Sequence, residues 1–416
     1  MSLFNAATAR RTDTPLALNM RLLSQHELDG FGGLGEGIAM QQARDGRRIL
    51  WMAHESAPKN FTAVDVTDPR EPRLVCQTEL PHMQVRSNSL DVVGDVMVVA
   101  CQVQTPGAKP AGFDVWDISV PENPRLISHF DASGPYSRGV HAVWFVDGKT
   151  VHMSSGAPDF QPHNQLDDQF YRIVDISDLT RPKEIGRWWL PGTRVGDSVP
   201  PPKRLKAPFD TGFRAHNTNV FPERPDRAYV GYIDGGAIVL DISDPSNIRP
   251  ISQWNHSPPF NGFTHTVLPL FDRGLWVVSD ECVQDDGADW PKMVWMVDAR
   301  DDLNPVPIST FPLPPVEVFG KRGGRYGAHN LHENLPLPTS FRSDTLMIGT
   351  FFNGGVRVFD TTDPWRVQEV AYYVPAAPKL SPRGAIQLND VYVDDRRLVY
   401  TIDRFSGGLY VLEMTI

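Results

Sequence analysis

Residues 235–245 read GGAIVLDISDP, and near copies recur along the chain: FTAVDVTDP at 61–69, GFDVWDISVP at 112–121, FYRIVDISDLTR at 170–181, MVWMVDARDDLN at 293–304 and GVRVFDTTDP at 355–364. In each, apolar residues run into an aspartate and then a turn of Asp, Ser, Asn and Pro. Short polar side chains there bond their own backbone, so the pattern reads as a strand ending in a tight turn. A second strand follows each turn, as in PISQW at 250–254 and EVAYY at 369–373. Two more strands precede each hairpin, as around Asp147 and Gly148. Four strands in roughly fifty residues is the period of a β-propeller blade.

Counting blades predicts the closure. Segments 389–393, 398–402 and 408–413 supply three strands, and RLLSQHEL at 21–28 has the pattern of the missing fourth. The expected fold is all-β: a seven-bladed β-propeller over 19–416 as one domain, its last blade closed by the N-terminal strand. Residues 1–18 are expected as a polar tail or surface strap. A blade shared between the termini leaves no open sheet edge at the seam.

The repeated apolar-DISDP pattern resembles the LVIVD-repeat family of β-propellers from about residue 20 to 414. The resemblance implies the fold and leaves the activity open, since propellers act as scaffolds, receptors and enzymes.

The chain has 416 residues, 41% of them hydrophobic, and a formal charge of -10. That balance argues against nucleic acid or an anionic membrane as partner and leaves a small-molecule substrate. Cys76, Cys101 and Cys282 are odd in number and widely spaced, which predicts no disulfide framework or Cys-rich zinc site. The first residues lack the apolar core of a signal peptide and no run reaches membrane length, so the cytoplasm is the expected location. GxSxG, GxxxxGK[ST], HExxH and a strand-to-helix dinucleotide fingerprint are missing from the sequence.

The long segments 55–60, 104–111, 155–169, 191–213, 281–292, 314–327 and 375–386 all fall on one face of the predicted disc, where a binding site is expected. The same face receives the start of each innermost strand. Aligning the blades puts His141, His216, His265 and His329 at one register of four consecutive blades, with Glu36, Ser87 or Asn88, and Asn389 at that position in the others. Equivalent positions converge on the axis. Four imidazoles around one space suit a divalent transition ion, with Fe(II) the first choice and Zn, Mn or Cu as alternatives. One histidine from each of four blades is similar in architecture to the carotenoid cleavage oxygenases, in which four histidines hold an iron that activates dioxygen. The selenium-binding proteins, propellers with histidine-bound metal and oxidase activity, are a second distant likeness.

Glu36, Glu55 and Glu281 are the candidate catalytic bases; the plainer reading has them cap loops or pair with Arg138, Arg214 and Arg325. His54, His332, Asn389, Asp280, Asp403 and Arg404 are candidates for orienting the ligands or touching substrate. Upper-loop aromatics, among them Tyr136, Phe160, Phe263, Tyr326 and Phe352, are candidates to wall an apolar pocket. The leading expectation is a metal-dependent oxygenase or oxidase acting on a small, partly apolar organic molecule. The alternatives are a Zn or Mn hydrolase or lyase, and a non-catalytic binding propeller.

Overall fold

Each repeated segment forms a strand whose aspartate caps the turn behind it: Asp65, Asp117, Asp175, Asp241, Asp298 and Asp360 all accept the backbone N–H two residues on. The preceding residues alternate around buried Val, Ile and Phe side chains, so each hairpin turns back at the same register. The computed structural model describes residues 14–206 and 209–416.

These hairpins build seven antiparallel sheets, one per blade. Blades one, three, four and five run outward in chain order, as in Val140–Trp144, Thr150–Ser155, Phe170–Asp175 and Lys183–Trp188 of blade three. In blade two the innermost strand is split into Val85–Arg86 and Leu90–Val93, both paired with Val96–Val103. In blade seven, Leu388–Val393, Leu398–Asp403 and Leu409–Met414 are completed by Met20–His26, with Met20 opposite Met414 and His26 opposite Leu409. The two ends of the chain thus close the ring within one sheet.

Blade six departs from the pattern at both edges. Its inner segment forms no regular strand: Leu331 bridges Gly349, and His329, Asn330 and His332 bond Thr350 and Ile348 on either side. On the outside, Leu16–Leu18 adds a strand against Val374, Tyr373 and Tyr372. This part of the expected N-terminal strap is therefore a sheet edge; residues 1–13 lie outside the described residues. Among the described residues no helix is long and apolar enough to cross a membrane.

The core lies between blades. Trp188 packs edge-on to Tyr232, Trp254 to Trp295, and Phe61 to Trp116, so large rings fill the wedge between adjacent sheets.

Candidate metal centre

The first residues of the inner strands carry the site, and their direction is set by a repeated irregularity. In blade three the register slips between Val140 and Ala142, leaving His141 as the extra residue; in blade five it slips between Thr264 and Thr266, leaving His265. Blade seven does the same at Asn389, and blade one across 34–38, which contains Glu36. In blade four His216 donates its backbone N–H to Gly231 O, while Gly231 N–H bonds Asn217 O; His329 and Asn330 do the same with Thr350. A bulge puts two residues against one and turns the extra side chain out of the sheet. Here it turns each toward the axis.

The four histidines converge. Ring centroids of His141 and His216 are 4.4 Å apart, those of His216 and His265 3.9 Å, and those of His265 and His329 4.8 Å. Glu36 and Glu281 stand among them. Glu36 lies 3.6 Å from Nε2 of His141, 3.8 Å from that of His216, 3.9 Å from that of His265 and 3.6 Å from that of His329. Glu281 lies 3.8 Å from Nε2 of His216 and 3.6 Å from that of His329. These side chains are at most 11% exposed, which keeps bulk water from solvating their charge.

Tautomers follow from the far nitrogens. His216 Nδ1 faces Asn217 Oδ1 at 2.9 Å, and the orientation of that amide is fixed because its Nδ2 donates to Glu333 Oε1 at 2.7 Å. His141 Nδ1 faces Gln102 Oε1 at 3.0 Å, and that oxygen also accepts from Arg86 Nε at 2.9 Å; Arg86 Nη2 stands farther from the same imidazole nitrogen, at 3.4 Å. Each Nδ1 therefore carries the proton, and each Nε2 presents a bare lone pair. Those two Nε2 atoms are 2.8 Å apart. Lone pairs at that distance repel, whereas two nitrogens bound to one ion at about 2.1 Å stand roughly 3 Å apart when at right angles. Nε2 of His265 and both ring nitrogens of His329 are buried with no hydrogen-bond partner.

The charges point the same way. Burial, reinforced by the neighbouring imidazole, pushes His141 well below the usual histidine range and His216 down to about 4; burial also lowers His265. These rings are neutral near pH 7. Burial opposes ionisation of Glu36 and Glu281; positive charge on the surrounding rings, with Arg325 beside Glu281, offsets it and lowers Glu36 well below the usual carboxylate range and Glu281 to about 2, so the ionised pair needs a cation among the rings, a proton or a metal. Two buried carboxylates amid imidazole lone pairs could hold a metal cation in place of that proton.

The other sequence candidates sit apart from this cluster. Glu55 Oε1 accepts from Arg86 Nη1 at 2.7 Å and Arg404 Nη2 at 2.6 Å and approaches none of the four histidines. His54 is bonded to Thr62 Oγ1 at 2.7 Å. His332 donates to Phe341 O at 2.7 Å and accepts from Val393 N–H at 3.2 Å, tying blade six to blade seven. Asn389 donates to Leu34 O and Gly35 O, closing blade seven on blade one. Asp280 accepts from Met293 N–H, and Asp403 gathers the N–H groups of Gln387, Phe405, Ser406 and Gly407. In the plainer pairing, Glu281 does meet Arg325, at 2.7 Å, while Arg138 is held by Asp168.

Above the centre, between the long loops, opens a cavity of about 330 Å³. Its wall differs from the apolar pocket expected. Of the named aromatics Phe263 reaches it; Phe352 stacks on His329, the Tyr326 hydroxyl bonds Pro314 O, and Phe160 packs on Phe170 and Trp189. Most of its lining residues are polar instead, among them Arg86, Arg138, Arg214, Arg325 and Arg404. Beneath the centre the channel holds Glu333, which sequence reasoning passed over; it accepts from Asn217 and Asn219 and so braces His216.

With this geometry in view, the likenesses to known proteins can be weighed. The LVIVD repeat matches residues 168–188, strands three and four of blade three, and 226–253, strands two to four of blade four. The chain carries LVIVD repeats. No curated protein matches it in sequence. Among solved structures, the β-propeller domain of Cps50 (Swd1) from Myceliophteria thermophila is similar with a TM-score of 0.53, over 91% of this chain and 96% of that one, at 13% identity. That likeness is one of fold.

Proposed function

We propose that His141, His216, His265 and His329 hold a divalent transition ion, with Glu36 and Glu281 beside it, and that the LVIVD-repeat propeller is a metal-dependent enzyme. The observation carrying this reading is the 2.8 Å approach of Nε2 of His141 to Nε2 of His216, in rings whose Nδ1 atoms face amide oxygens, beside the unpartnered Nε2 atoms of His265 and His329. Four imidazoles alone would fill a tetrahedral zinc shell and leave no open position. With the four imidazoles as ligands and Glu36 and Glu281 beside them balancing charge, an ion that takes six ligands keeps two positions for substrate, and such a surrounding suits Fe(II) first and Mn(II) next. A bound ion of this kind supplies Lewis-acid or dioxygen-activating chemistry at its open positions.

The chain's own residues do the rest. Asn217 and Gln102 hold the protons of His216 and His141 on Nδ1, so Nε2 stays available. Arg325 fixes Glu281 through Oε1. Glu36 is bonded to no arginine among the described residues and lines the cavity, so its charge is left to balance the ion. Iron favours an oxidase or oxygenase; manganese or zinc favours a lyase or hydrolase.

Metal content by plasma mass spectrometry, on tag-free protein and on the His216→Ala/His265→Ala variant, tests the reading. Near-stoichiometric iron or manganese in the wild type, lost in the folded variant, is the expected result. A folded wild type that neither carries nor takes up a metal would overturn it and make a binding propeller the better account.

A further inference from the structure

The cavity wall is built for negative charge. Arg86, Arg138, Arg214, Arg325 and Arg404 all reach it, from blades or loops far apart in sequence. Three of their partners are already committed: Glu55 Oε1 is shared by Arg86 and Arg404, Asp168 takes Arg138 through two bonds, and Glu281 takes Arg325. Asp210, also on the wall, is engaged by Arg204. Arg214 has no carboxylate within ion-pair reach among the described residues. A divalent ion on the floor would add two further positive charges.

The unpartnered atoms have one character. Arg214 Nε, Arg404 Nη1 and Gln169 Nε2 are buried, bond nothing, and belong to residues on the cavity wall; all three are N–H donors. Gln169 is 2% exposed. Glu55 Oε2 also lacks a partner, but Glu55 is not on the wall. Buried donors without acceptors are costly, and guanidiniums in a fork match the oxygens of a carboxylate or phosphate. The volume is at the small end of ligand pockets, which run about 300–1,000 Å³.

We infer that the cavity takes a small oxyanion-bearing substrate, its carboxylate or phosphate held by Arg214, Arg404 and Gln169 while the rest of the molecule faces the histidine centre. The inference deepens the metal-enzyme reading, on which its account of the reactive end rests; the anion grip itself belongs to the arginines.

The test is calorimetric titration of the full-length, metal-loaded protein with inorganic phosphate, malonate and succinate at constant ionic strength, with chloride as control. Saturable binding is expected for phosphate or for a dicarboxylate, and the tighter of the two names the source of the oxyanion. Arg214→Gln should weaken it at least tenfold. Arg404→Gln provides a second reading should the first variant fail to fold, and Arg181→Gln, on the outer surface, should leave it unchanged. The same titration on His216→Ala/His265→Ala separates the two proposals: binding that survives there supports the arginine grip even if the protein proves to hold no metal. Equal, non-saturating responses to all anions, unaltered by either arginine variant, would overturn the inference while leaving the metal centre standing.

Discussion

His332 lies three residues beyond the proposed ligand position of blade six, yet both its ring nitrogens are taken, one by Phe341 O of its own blade and one by Val393 N–H of blade seven, and this makes a quantitative prediction. Burial pushes its pKa down to about 4, against about 6.5 in the unfolded chain. Between those values the unfolded chain binds a proton that the folded protein does not, so stability is whole above about pH 6.5 and falls as pH drops toward 4. From pH 8 to pH 5 this one group costs about 2 kcal/mol of stability. His332→Gln keeps a donor and an acceptor but cannot place both at the imidazole spacing, so at pH 8 it should be less stable by about 1–3 kcal/mol. It does not titrate, so the gap to wild type should narrow by about 2 kcal/mol at pH 5. Urea unfolding of chelator-treated protein, followed by tryptophan fluorescence at pH 8.0, 6.5 and 5.0, measures the gap; comparing the two proteins cancels the other titrating groups. Metal content should match wild type. A gap independent of pH, or loss of metal in the variant, would refute the assignment of His332 as a neutral clamp between blades.

Other outcomes follow from the same geometry. Asn217→Leu removes the acceptor that holds the His216 proton and should raise the metal dissociation constant about 10–100-fold in a chelator competition, with Glu333→Gln giving a smaller effect. In Gly231→Ala the new methyl would lie 1.9 Å from His265 O. The backbone must move, and both metal binding and about 1–3 kcal/mol of stability should be lost by the same two assays. Deleting residues 1–18 uncovers the Tyr372 to Val374 edge of blade six and should raise self-association in sedimentation velocity without changing the far-ultraviolet spectrum.

Six blades were legible because each repeats the same apolar run, aspartate and turn, and the seventh because 21–28 had a partner in the last three strands. The histidines were legible for the same reason: equivalent positions in a closed ring share an axis. The residues beside them were harder. Asp280 and Glu281 are neighbours, as are His54 and Glu55, and in a strand successive side chains face opposite ways. Naming the strand end therefore leaves open which residue looks inward. Asp280, opposite Thr264 in the ladder, looks away from the centre, and the next residue enters it. Glu55 shows the other limit, since its position was near the site but Arg86 and Arg404, distant in sequence, claim its oxygen. The aromatics misled because apolar rings at strand ends serve the wedges between blades as readily as a pocket, and composition does not distinguish the two.

The bulges and glycines explain why this axis is narrow enough for an ion. A strand with unbroken alternation would send His141 and His265 along the sheet; the slipped register turns them inward in both blades. Neighbouring inner strands must then come close. Gly231 leaves no room for a methyl against His265 O, and Gly35 none against Asn88 O, where an added Cβ would sit at 2.5 Å. Larger residues at those points would push adjacent inner strands apart, and the imidazoles they carry would separate with them. The shared space would then admit water to solvate Glu36 and Glu281, and the electrostatic reason for a cation would weaken. On this account the proposed metal centre depends on glycines as much as on histidines, and a propeller with the same four histidines but a bulky residue in place of Gly231 should bind an ion weakly.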